Sequence, residues 1–132
     1  MGIDVNKHID YWLTTATSDF ETAESLLNLG KNLHHCLFFC HLVIEKHIKA
    51  LVVKETRQVP PKIHDLEILA KKAKLELSTD QLDFLTELNG FVLEARYPDE
   101  KLKIYKLSTP ALARTVFNKT SDLKNWLASK AK

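Results

Sequence analysis

An all-α fold is predicted, an antiparallel helical bundle of four long helices plus one short helix. Three observations predict it. Apolar residues recur at three- and four-residue spacings through most of the 132 residues, the period of a helix with one buried face. Only three Gly and four Pro interrupt them, too few for the many turns of a β sandwich. No alternating apolar–polar stretch of useful strand length competes.

The elements follow in order. Over residues 4–29, Ile9, Trp12, Leu13, Ala16, Phe20, Ala23, Leu26 and Leu27 form a helical stripe. Gly30 stands at a typical stop position and Asn32 opens the next helix. Residues 33–56 differ in kind, because Cys36 to Ile44 is apolar except for His41. A helix apolar nearly all round is buried on most sides, so this is the central helix and its few polar residues need partners. Pro60-Pro61 keeps it from continuing. His64-Asp65-Leu66 opens a short third helix carrying Leu66, Leu69, Ala70 and Ala73 on one side. Ser78-Thr79-Asp80 offers caps for a fourth, with a stripe of Leu82, Leu85, Leu88, Val92 and Ala95. Gly90 inside that stripe is tolerated at a cost of about 1 kcal/mol. Tyr97-Pro98-Asp99 breaks the helix, and residues 98–107 read as a lysine-rich connection. Ser108-Thr109-Pro110 caps the last helix, which runs to about Ala128 through Leu112, Val116, Leu123, Trp126 and Leu127. No linker, repeat or composition break divides residues 1–132, which are read as one domain.

Composition narrows the class. The chain is 45% hydrophobic and 27% charged, which is globular and not disordered. No apolar run approaches the roughly 18 residues of a membrane span, and the first ten residues lack a signal-peptide pattern. Two Cys four positions apart do not make a disulfide framework, so a reducing cytoplasm is the expected location. The net charge of +2 is unevenly spread. Residues 1–95 carry 10 basic against 14 acidic side chains, and residues 96–132 carry 9 against 3. A basic C-terminal quarter can meet phosphates or an acidic partner, although the sum does not make nucleic acid the default.

Phosphate-loop, dinucleotide, nucleophile-elbow and zinc-helix motifs are all missing. His34, His35, Cys36, Cys40 and His41 invite a metal reading. The two Cys sit among Leu37, Phe38 and Phe39 with no second ligand pair, so core packing is expected, with no metal and no cofactor. His41, Glu45 and Lys49, spaced by four, share one stripe of the most buried helix. A charged Glu45 there needs a partner, either Lys49 or Arg96. Two readings stay open: a buried ion pair that fixes helix register, and a polar cleft in which Glu45 holds Arg96 toward a phosphate. Arg96 and Tyr97 sit at a helix end, where functional groups often stand, and Tyr97 can stack on a base.

Four stretches in register resemble the HEPN domain family (higher eukaryotes and prokaryotes nucleotide-binding). They are Tyr11-Trp12 with Ala16, Asp19, Ala23 and Leu26-Leu27, then Cys40 to Lys46 with Lys49-Ala50-Leu51. Pro60 to Leu66 and Glu94-Ala95-Arg96-Tyr97-Pro98-Asp99 complete the set, so the resemblance covers about residues 8–128. It implies a helical bundle that commonly dimerises, with a cleft near the dimer interface. It also implies a minimal nucleotidyltransferase as partner, some such pairs acting as toxin and antitoxin with the HEPN member an RNase. RNase members carry His four to six residues after the Arg, whereas here no His follows His64. That departure removes the usual proton-transfer group and argues against an enzyme. Tyr105, in the same stretch, is a candidate for nucleotide transfer by the partner.

The expected function is therefore a binding module: a homodimeric partner of a minimal nucleotidyltransferase that presents Arg96, Tyr97, His41, Glu45 and Lys49 to a nucleotide or RNA phosphate. The alternatives are an RNase that uses Arg96 with His41 or His64 as base, and a structural adaptor without catalysis.

Overall fold

The apolar circumference of the second helix decides the architecture, because every other long element must lie against it. The computed structural model describes residues 2–92 and 98–132. Its helices run in the order α1 (Val5–Leu29), α2 (Leu33–Thr56), α3 (Leu66–Lys72), α4 (Thr79–Gly90), α5 (Pro98–Leu107) and α6 (Pro110–Ala131). There is no strand among the described residues. Fifteen of the 24 residues of α2 are buried, with α1, α3, α4 and α6 packed round it.

Local chemistry places each helix end. Asp4 caps α1 by accepting from the Lys7 N–H. Gly30, at φ 68°, ends α1 and donates its N–H to the carbonyls of Leu26 and Leu27, a left-handed cap that suits a residue without Cβ. The short turn that follows sends α2 back along α1. Ala16 and Ala23 are fully buried between them, small side chains that let the two helices approach closely. The ion pair Lys46–Asp19, at 2.7 Å, joins the same two helices. α6 closes the bundle: Phe117 stacks on Phe20 with ring centroids 4.8 Å apart. The Lys54 ammonium donates to the carbonyls of Lys130 and Lys132, both at 2.8 Å. A cation there also meets the negative end of the α6 dipole.

Three sequence expectations need correction. Residues 98–107 form α5 instead of a connection. Pro98 supplies a first residue that needs no N–H partner, while Asp99, Glu100 and Lys106 complement the helix dipole. Because α5 buries no residue, it left no apolar stripe to read. The fourth helix ends at Gly90, so Val92 lies outside it and Ala95 outside the described residues. Its buried face is Phe84, Leu85 and Leu88, whereas Leu82 is 44% exposed. The last helix continues beyond Ala128 to Ala131.

Cys36 and Cys40 are fully buried in the core, and the Cys36 thiol donates to the Ala23 carbonyl at 3.4 Å. The hydrogen bond that the Cys40 thiol donates to Cys36, together with burial, pushes it far above its usual range, which makes it an inert packing group. His47, also buried, donates Nδ1–H to the Val43 carbonyl at 2.9 Å. Burial holds its imidazole below the ordinary 6.5, with Lys124 acting in the same direction. Among the described residues no helix is long and apolar enough to cross a membrane.

Two outcomes follow from this packing. Leu85→Ala should cost about 2–5 kcal/mol in a denaturant melt, against under about 1 kcal/mol for Leu82→Ala. His47 stays neutral in the folded chain and takes up a proton once unfolded. Its contribution to stability is therefore present above pH 6.5 and is lost as pH falls below it. Thermal melts between about pH 7.5 and about pH 5 should show a falling Tm, with a shallower fall in His47→Gln.

Candidate functional site

A carboxylate on the most buried helix is where polar chemistry enters this bundle. Glu45 sits near the middle of α2 and is 3% exposed. Its helix neighbour Lys49, one turn on and also buried, donates to Oε2 at 3.0 Å. The Lys49 ammonium also lies 5.3 Å from the centroid of the Trp12 ring on α1, where a cation is attracted to the aromatic face. The pair expected between Glu45 and Lys49 is thus formed.

The second partner arrives from the proline segment. After α2, residues 57–65 run without helix, with Pro60 buried, and return His64 to the middle of α2. His64 Nδ1 lies 3.1 and 3.2 Å from the two oxygens of Glu45. An ionised carboxylate only accepts, so Nδ1 carries the proton of these bonds. The His64 side chain is 64% exposed, against 4% for that of Glu45.

His41 completes the inner layer. Its Nε2 lies 3.2 Å from Asn89 Oδ1 in α4, and the same oxygen accepts the Leu66 N–H at 3.1 Å. The Leu66 donor identifies that atom as the amide oxygen, and so His41 Nε2 must be the donor. Burial lowers the His41 pKa from its ordinary value, against the opposing pull of the Glu45 carboxylate. At 3.7 Å from Glu45 Oε1, His41 Nδ1 is therefore no cationic partner. Asn89 Nδ2 donates in turn to Asp65 Oδ1 at 3.1 Å. That carboxylate also caps α3 through the N–H groups of Glu67 and Ile68. One hydrogen-bonded chain therefore links α2, α4 and the start of α3.

The stripe of His41, Glu45 and Lys49 is brought together as its spacing predicted, but behind the surface. Arg96 and Tyr97 lie outside the described residues. Tyr105 is 61% exposed on α5, with its ring 5.1 Å from that of His34 on α2. Both line an open groove of about 890 Å³ with Phe38, Phe91 and Leu102. Sequence reasoning missed Asn89 and its bond to Asp65, which tie α4 into the network. His64 entered only as an alternative base. The signal for His64 and Asp65 was their place after two prolines at a helix start; Asn89 had none. No group of three or more His, Cys, Asp or Glu that could hold a metal is present among the described residues.

Removing the carboxylate tests the cluster. Glu45→Ala leaves Lys49 as an unmatched buried cation and should cost roughly 3–5 kcal/mol in a denaturant melt. Adding Lys49→Met should recover part of that loss, because the stranded charge goes with it.

Comparison with known proteins places the bundle. No curated protein and no solved structure matches the chain. A family model does, over residues 9–130, a span that takes in every helix packed on α2 and the whole network round Glu45. That near-complete match over a helical bundle shows the family: the chain belongs to the HEPN domain family.

Proposed function

We propose that this protein is a nucleotide- or RNA-phosphate-binding module that works as a homodimer beside a minimal nucleotidyltransferase, in a toxin–antitoxin-like pair in the cytoplasm. Membership of the HEPN family supports the nucleotide-related part of this reading. The observation that carries the site is the Glu45 network. It is a buried ion pair reaching the surface through one imidazole, beside a segment that leads into α3. Arg96 and Tyr97 supply the guanidinium and aromatic ring that a phosphate and a base require. His41, Glu45 and Lys49 form a fixed polar wall behind His64. They act on a ligand by holding the groups in front of them.

Most of the apolar circumference of α2 is covered within the chain itself, so that helix's core face is no argument for a dimer. Support comes instead from exposed apolar side chains at one end of the bundle, Phe38 on α2 and Leu102 and Leu107 on α5. A second copy burying them would remove that surface from water. Light scattering should then give about twice the 15.1 kDa chain mass, and a stable monomer at micromolar concentration would defeat the dimer.

Binding and cleavage are separated by one assay. Purified protein with labelled single-stranded RNA, chelator present, should bind with an affinity that falls as salt rises. Arg96→Ala should weaken binding by about tenfold or more, the scale of one charge-assisted contact. The RNA should stay intact, since Arg96 does not deprotonate and no His follows it. Cleavage by the unmodified protein that disappears in Arg96→Ala would replace the binding reading with an RNase.

A further inference from the structure

We infer that His64 is an anion-contacting residue of this site, and that it donates Nε2–H to a phosphate oxygen only when protonated, so that phosphate binding is coupled to proton uptake. The inference rests on the phosphate-binding reading above and adds the residue and its control.

Exposure separates His64 from its neighbours. The side chains of His41, Glu45 and Lys49 are 2%, 4% and 7% exposed, while that of His64 is 64% exposed. A ligand arriving from solvent meets the imidazole first. Its orientation is set by the bonds from Nδ1 to both oxygens of Glu45, which leave Nε2 on the far side of the ring, toward solvent. This is the arrangement in which a carboxylate fixes the tautomer and direction of an imidazole.

Charge then decides what Nε2 can do. Lys49 and Glu45 cancel one another, and His41 is held neutral by burial. With His64 neutral, Nε2 offers a lone pair, which repels a phosphate oxygen. With His64 protonated, the mouth of the cluster gains one positive charge and Nε2–H is a charge-assisted donor. Among the described residues, the titratable and charged groups of the network round the ring are His41, Glu45 and Lys49 from α2 and Asp65 from its own segment. The Asp65 carboxylate is engaged by Glu67, Ile68 and Asn89, and α4 contributes only the neutral Asn89. Of that set His64 alone is exposed to solvent.

The test uses two probes, AMP and the dinucleotide ApA. The single phosphodiester of ApA keeps its charge across the range. Calorimetry on the full chain at about pH 5.5 and about pH 8.5 should show ApA bound about tenfold more tightly at the lower pH. His64→Gln, a surface change, should remove that difference and bind at the weaker level throughout. Long-range proton–nitrogen spectra of the neutral ring should show hydrogen on Nδ1. Preference for AMP over ApA would assign the phosphate to a free nucleotide, and the reverse preference to RNA; either supports the inference. Binding without pH dependence, pH dependence that survives in His64→Gln, or hydrogen on Nε2 of the neutral ring would each overturn it. Conversion of ApA to adenosine and a cyclic phosphate, lost in His64→Gln, would overturn it in favour of catalysis. Binding weakened by Arg96→Ala but indifferent to His64→Gln defeats this inference alone; no binding of either probe defeats the phosphate-binding reading as well.

Discussion

The carboxylate of Glu45 is the constraint around which the rest of this bundle is arranged. A helix surrounded by apolar neighbours can carry a charge in its middle only if partners come to it. Lys49 is supplied by the helix itself, one turn away. His64 is supplied only if residues 57–65 return along α2 in one register. A buried ion pair contributes little net stability compared with a well-packed apolar pair of the same size. Breaking one partner, however, is expensive. The consequence is selectivity among arrangements: a slip of the proline segment, or of α3 behind it, would strand the charge. Asn89 extends the same demand to α4, since its amide oxygen joins His41 to the Leu66 N–H.

Around that polar centre the packing follows from residue size and caps. Two alanines of α1 admit α2 closely, so the first two helices form the largest contact of the bundle. α6 then seals α2 from the other side with Val116, Phe117, Leu123 and Leu127. Several large apolar side chains stay exposed, Phe38 on α2 and Leu102 and Leu107 on α5 among them. Interior cohesion and outward association are thereby handled by different residues. Phe38, Leu102 and Leu107 can change without disturbing the Glu45 network, and the network holds without them.

Most of the fold was legible because most of it is written as burial. α1, α2, α3 and α6 each present a continuous apolar face, and their ends carry Gly30, Pro60-Pro61, Asp65 and Thr109. α5 was illegible for the opposite reason, since a helix that buries nothing has no stripe and is specified by Pro98 and dipole-matching charges. The end of α4 was misread because Val92 continues the spacing in sequence, while the backbone leaves the helix after Gly90. In the site, the four-residue spacing of His41, Glu45 and Lys49 could be read directly, because a helix converts spacing into a face. The contacts of Glu45 with His64, and of His41 with Asn89, join residues 19 and 48 positions apart. No local pattern encodes such pairs.

The polar chain has two ends of different character, and this difference bears on what the site can do. At the inner end, burial lowers the His41 pKa, Asn89 is held by three partners, and Asp65 is committed to capping α3. Such groups cannot change state without disturbing α2, α3 and α4 together, and they are suited to hold a geometry. At the outer end the same carboxylate meets an imidazole that water reaches. A change of protonation there alters charge at the surface while the buried Lys49–Glu45 pair stays intact. The cost of reorganisation is thus confined to one side chain. A site with a rigid interior and a single adjustable group at its mouth favours discrimination between ligand charge states, because the binding energy is not spent on rearranging the scaffold.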